Sequence, residues 1–172
     1  MSAFHRLVSR LSYLGAVMAV LLMFAMTAHI MLEITLRATV GMSTQVLDEF
    51  VGYGVAAMTF LSLAYALESG VMIRVGLLLA AIGDGITRRL LELFCITITL
   101  GLTGFLAWYF WHSVSRNWSR GATSSTAAEV PLWIPEGAVL LGLALLGLQL
   151  ISYLLRVLTG GSLIHSGGAG DH

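Results

Sequence analysis

Leu11–Leu32 reads LSYLGAVMAVLLMFAMTAHIML and carries no formal charge. A helix rises about 1.5 Å per residue, and the hydrocarbon core of a bilayer is about 30 Å thick, so about 20 apolar residues cross it. The run meets that length. Arg6 and Arg10 precede it, as in a signal peptide. It is nevertheless longer than the roughly 7–15 apolar residues of a signal core, and a cut after Ala28 would put Met26 where a small residue is wanted. It is therefore read as a retained membrane anchor.

Working outward, three further stretches have the same character: about 46–67, 90–111 and 134–155. Asp48 and Glu49 open the second, where the positive end of a helix dipole favours carboxylates. Arg88 and Arg89 precede the third, and Trp108, Tyr109 and Trp111 crowd its far end like an interfacial aromatic belt. Pro135 suits the first turn of the fourth, because the N–H it lacks has no partner there. Segment 71–82, VMIRVGLLLAAI, is too short to span and too apolar for an ordinary loop. It is expected to lie along the membrane surface. The expected fold is thus all-α and integral to the membrane: one domain over 1–158 with four spans and a surface-lying helix between the second and third. Residues 159–172 form a Gly-rich tail, expected to be flexible.

Composition agrees. Hydrophobic residues make up 58% of the 172-residue chain and charged residues 10%, against about 25% charged in a soluble domain. Mean hydropathy is +0.89. The nine basic residues are all Arg and balance nine acids, so nucleic acid is not an expected partner. The single cysteine, Cys95, lies in an apolar run and can form no internal disulfide. Arginines near the span ends divide six to three between the two sides. The richer side holds both termini and is expected to be cytoplasmic.

The chemistry of catalysis is missing. There is no nucleophile elbow, zinc-protease helix or phosphate loop. Ionisable residues avoid the middle of the spans, where a charge costs roughly 2.5–3.5 kcal/mol. A homodimeric small multidrug-type exporter, the alternative function, needs a membrane-embedded acid, and the first span has none before Glu33. His29 and His112 lie at similar depth and would suit a haem only if their rings faced each other. No cofactor, metal or catalytic residue is expected. Gly52-x-Gly54 and Gly101-x-x-Gly104 permit close helix approach, either inside the bundle or against a partner.

Three stretches, in order, resemble a known family. Arg37 follows the first span and Asp48-Glu49 open the second. Glu68-Ser-Gly70-Val-Met72-Ile73-Arg74-Val-Gly76 follows the second, and Glu129-Val-Pro131-Leu-Trp133-Ile-Pro135 leads into the fourth. Together they resemble the small membrane subunit of tripartite ATP-independent periplasmic (TRAP) transporters, the DctQ-like family, from about Ser12 to Arg156. The family pattern Gly-x-His-Ile-Arg-Val-Asp is matched at Gly70, Ile73, Arg74 and Val75, while Met72 and Gly76 stand in place of its His and Asp.

The resemblance implies an accessory subunit in the bacterial inner membrane. Its partners would be a large DctM-like membrane subunit, a periplasmic substrate-binding protein and membrane lipid, in sodium-coupled uptake of organic acids or similar solutes. Within that frame, Arg74 would snorkel to headgroups and fix the surface-lying helix. Arg37 and Glu49 would pair across the first connection. Pro131, Trp133 and Pro135 would stiffen the entry to the fourth span. Arg120 and Glu129 would offer charge to a docking binding protein.

Overall fold

A computed structural model describes residues 2–69, 86–126 and 128–158. They form four helices: α1 (Ser2–Val40), α2 (Leu47–Glu68), α3 (Ile86–Arg120) and α4 (Trp133–Leu158). All four are long and apolar enough to cross a membrane. The expected surface-lying helix over 71–82, with Gly70, Ile73 and Arg74, lies outside the described residues, as does the tail 159–172.

Helices α1 and α3 are much longer than the apolar runs that announce them. At about 1.5 Å per residue, their 39 and 35 residues measure roughly 58 and 52 Å. The apolar run sets only the part in hydrocarbon, and nothing polar beyond it stops the helix. Backbone geometry does. Gly41, at φ +68°, follows α1, and Gly121, at φ +58°, follows α3. Beyond α3 the N–H of Gly121 donates to the Trp118 carbonyl (3.2 Å) and that of Ala122 to the Asn117 carbonyl (3.1 Å). This is a Schellman stop, which needs a left-handed residue that glycine adopts without strain.

The buried face of α1 recurs in steps of four and three: Val8, Ser12, Gly15 and Ala19 are buried, Leu22, Met26 and His29 are half-buried, and Glu33 is buried again. That is a heptad stripe, suited to a left-handed crossing of about 20°. Its members are mainly small or polar, whereas Leu14, Leu21, Phe24 and Met31 point outward. Lipid is as apolar as leucine, so sequestering large side chains gains little, and packing of small residues decides which face turns inward. Threonines on the outer faces cost little for a related reason. Thr27, Thr59, Thr97 and Thr99 each donate to the carbonyl four residues back, at 2.7–2.9 Å.

Helix α4 is the hub and packs against each of the other three. Among the described residues α3 touches α4 alone, so the molecule is a three-helix unit with α3 laid along one side. The three-helix unit is tightest at the backbone of Phe60 and Leu61 in α2. A Cβ placed on Gly142 of α4 would sit 2.5 Å from the Phe60 carbonyl carbon, and one on Gly15 of α1 would sit 2.8 Å from the Leu61 carbonyl oxygen. Gly54 abuts the Met26 side chain. The two glycine pairs singled out from sequence fare differently: Gly54 packs inside, while Gly52, Gly101 and Gly104 face open space.

Near the chain termini, α1 and α4 are joined by polar contacts. His5 Nδ1 lies 2.5 Å from the Ser152 hydroxyl, and the Ser12 hydroxyl donates to Gln149 Oε1 at 3.4 Å. The Tyr153 hydroxyl ties α4 to α2 through the Leu67 carbonyl (3.1 Å).

Candidate functional site

The opposite end carries both described connections, 41–46 and 121–132. Three carboxylates organise it, one from each helix of the central unit. Glu33, at 1% exposure, is the most enclosed. One of its oxygens accepts from Arg37 Nε (2.9 Å) and the Ser43 hydroxyl (2.5 Å). The other accepts from the Thr44 N–H (3.0 Å) and the Thr44 hydroxyl (2.5 Å). Arg37 Nη2 also reaches Ser43 (3.0 Å), and Ser43 Oγ accepts from the Gln45 N–H (3.2 Å). The connection is thereby wound around one buried acid. Gln45 completes the turn at φ +57°, a left-handed conformation that costs a non-glycine residue roughly 1–2 kcal/mol.

Glu49, in the first turn of α2, accepts from the Tyr53 hydroxyl (2.8 Å) and from Thr126 of the other connection. That connection folds back on itself. The Ser124 N–H donates to the Val130 carbonyl (2.9 Å), the Leu132 N–H donates to the Ala122 carbonyl (3.1 Å), and Thr123 and Pro131 form an antiparallel bridge. Glu136, in the first turn of α4, accepts from Ser113 (3.0 Å) and Asn117 (2.9 Å) on α3. These contacts hold the extra turns of α3 against α4. Each acid joins two elements, so the end is a braced platform rather than a pair of loose loops.

The expected Arg37–Glu49 pair is replaced by two other sets of contacts. Arg37 binds Glu33, one helical turn back on its own helix, and Glu49 binds the second connection. A partner four residues away requires no ordering of an intervening loop, so the local pair prevails. Trp133 is the first residue of α4, its ring edge-on to Trp118 at 4.6 Å. Pro135 follows in that first turn. Arg120 ends α3 and is exposed, and Glu129 is exposed at φ +43°. Both lie on the connection-bearing end.

The haem arrangement fails on geometry. The His29 ring packs against Phe50 of α2 at 5.9 Å, whereas His112 is turned onto its own helix, with Nδ1 2.9 Å from the Trp108 carbonyl, so the two rings do not face each other. By position in the sequence alone, Glu33 and Glu136 are ordinary charges at the ends of apolar runs. The spacing of Glu33 and Arg37 was a usable signal for the first. The partners of Glu136 lie on another helix and leave no local signal.

A wedge-shaped groove of about 870 Å³ runs down the side of the molecule between α1 and α4, with α2 as its floor. Leu14, Met18, Leu22, Leu141 and Leu145 supply most of its apolar wall, and His29, Tyr53 and Trp133 lie at the connection-bearing end.

The four span-capable helices make the chain a multi-pass membrane protein. No curated protein and no solved structure matches it. Residues 26–160 match the family model described as tripartite ATP-independent periplasmic transporters, DctQ component. That match covers α2, α3, residues 26–40 of α1 and all of α4, and with it the chain belongs to the DctQ family, the small membrane subunits of TRAP transporters, components of transport rather than enzymes.

Proposed function

We propose that the chain scaffolds the large membrane subunit of a sodium-coupled TRAP transporter and helps to seat the substrate-binding protein during uptake of organic acids or similar solutes. One observation carries this reading. The acids Glu33, Glu49 and Glu136 are each engaged in bracing the connection-bearing end. A substrate or ion path needs ionisable groups free to bind and release. These have structural work instead, which suits a companion subunit. Arg120 and Glu129, exposed on the braced end, are the charges the binding protein would meet. Pro131, Trp133 and Pro135 keep that end in register with α4.

The test is a pull-down of tagged protein from gently solubilised native membranes. A stoichiometric large polytopic partner is expected. A homodimer that alone protects cells from a toxic cation would overturn the reading in favour of an exporter.

The scaffold role places the braced end in the periplasm and both termini in the cytoplasm, as the arginine distribution favours. Cysteines at Met42 and Ser125, both exposed, are expected to react with a membrane-impermeant maleimide added to intact spheroplasts. Labelling only after lysis would reverse the topology.

A further inference from the structure

We propose that the lateral groove between α1 and α4 is a binding site for one phospholipid. Its acyl chain lies along the groove, and its glycerol-ester region sits at the connection-bearing end beside His29.

Shape is the first argument. α1 and α4 meet at Ser12–Gln149 and again where Leu145 reaches to 3.0 Å from a Cβ built on Gly15. These two approaches close the groove on the side of the chain termini, beside Leu11, and its lining runs from there along both helices to the connection-bearing end. A partner helix about 10 Å across needs a trough open along its whole length. An acyl chain needs only the width of a methylene. From Gly15 to His29 the groove follows α1 for roughly 21 Å at 1.5 Å per residue, longer than the hydrocarbon depth of one leaflet, about 15 Å. A complete acyl chain fits.

Polarity is the second argument. The narrow half is lined by Leu11, Leu14 and Leu145, whereas the side chains bearing N–H or O–H groups, His29, Tyr53 and Trp133, gather at the wide end. This gradient matches a lipid, polar at the ester level and apolar below. Tyr53 already donates to Glu49. His29 Nε2 is buried without a hydrogen-bond partner, a condition that costs free energy unless a ligand or water supplies one. It lies one helical turn, about 6 Å, inside Glu33, near the depth of the ester oxygens. Phe50, 45% exposed and 5.9 Å from the imidazole, lines the same groove, and the proposed site requires it to turn aside. With Nε2 protonated, His29 donates to the ester oxygen.

The test uses the complex with its large subunit, in vesicles of phosphatidylethanolamine and phosphatidylglycerol. A trace of phosphatidylcholine carries a mid-chain diazirine. Photolysis is expected to label Met18, Leu22 and Leu141 well above Phe94 and Leu102, which sit exposed on α3 and report bulk lipid. A Cβ on Gly137 meets nothing within 4 Å, so Gly137→Leu folds and fills the groove wall. It should cut groove labelling by about tenfold or more, what excluding two methylenes is worth, and leave α3 labelling unchanged. His29→Phe should lower retained lipid by about fivefold, one hydrogen bond's worth, and His29→Gln should largely restore it. Equal labelling of groove and α3, indifferent to Gly137→Leu, would mean bulk lipid only and overturn the site. Capture of a polypeptide by a photoreactive amino acid at Ala25 would show that a partner helix occupies the groove, and would overturn it as well. Where no large subunit co-purifies, the same labelling is carried out on the chain alone in the same vesicles, so failure of the lipid site and failure of the scaffold role are read separately.

Discussion

Gly142→Ala should wedge the three-helix unit apart at its tightest point and lower its stability. The added methyl group would lie 2.5 Å from the Phe60 carbonyl carbon, 2.6 Å from its oxygen and 2.8 Å from the Leu61 nitrogen. All three are backbone atoms of α2 and cannot rotate away. Restoring ordinary contact, about 3.5 Å between carbons, requires α4 and α2 to part by about 1 Å. The next carbonyl of α2, that of Leu61, is met by Gly15 of α1, so the displacement reaches all three helices. Overpacking of this kind costs about 3 kcal/mol, equivalent to a fall in Tm of roughly 5–10 °C for a chain of this size. Thermal denaturation of the purified protein in mild detergent measures it. Gly54→Ala is the internal control, because its obstacle is the Met26 side chain, which has free torsions. Gly101→Ala and Gly104→Ala meet no atoms and should stabilise α3 by up to about 1 kcal/mol each through helix propensity. An unchanged Tm for Gly142→Ala would show that the helices do not approach this closely.

The contrast between these glycines shows what the sequence can reveal about such a protein. The spans are legible because hydrocarbon demands a minimum apolar length, and α2 and α4 begin and end within a few residues of their runs. The inward faces are far less legible. In water an apolar stripe marks the core, but here both faces of α1 are apolar, and the inward one is distinguished by size and by Ser12 and Glu33. Glycine pairs alone cannot say which member packs. Gly54 and Gly52 are two residues apart, about 200° around a helix, so one must face away. The overshoot of α1 and α3 was hidden for another reason. Asn117, Arg120 and their neighbours are as compatible with helix as with loop, and it is contacts with α4, Ser113 and Asn117 on Glu136 and Trp118 on Trp133, that hold the α3 extension in place. The fold back of 121–132 rests on backbone bonds and Thr126–Glu49, none of which has a periodic signature.

Glu33 provides the second large effect, and its variants separate a cage from an ion pair. Glu33→Ala strands the Thr44 N–H and Arg37 Nε, frees both hydroxyls and leaves a void at a site only 1% exposed. A fall in Tm of roughly 10 °C is expected, with proteolytic nicking of 41–46 in the folded protein. Arg37→Ala should cost far less, about 2 °C or under, because the side chain is 61% exposed and water replaces its contacts. Glu33→Gln falls between, for a reason visible in the donor set. The two hydroxyls can reverse and accept from an amide, but Arg37 Nε and the Thr44 N–H can only donate. Because they bind different oxygens, the amide nitrogen must face one of them in either orientation. The favourable choice turns it toward Arg37, which can swing into water, and keeps the oxygen on Thr44. Glu33→Gln should therefore resemble Arg37→Ala more than Glu33→Ala, and the double variant Glu33→Gln/Arg37→Ala should lose little more than either alone. If Arg37→Ala instead matched Glu33→Ala, the strength would reside in the ion pair, and the first connection would be held by charge rather than by the buried acceptor around which it is wound.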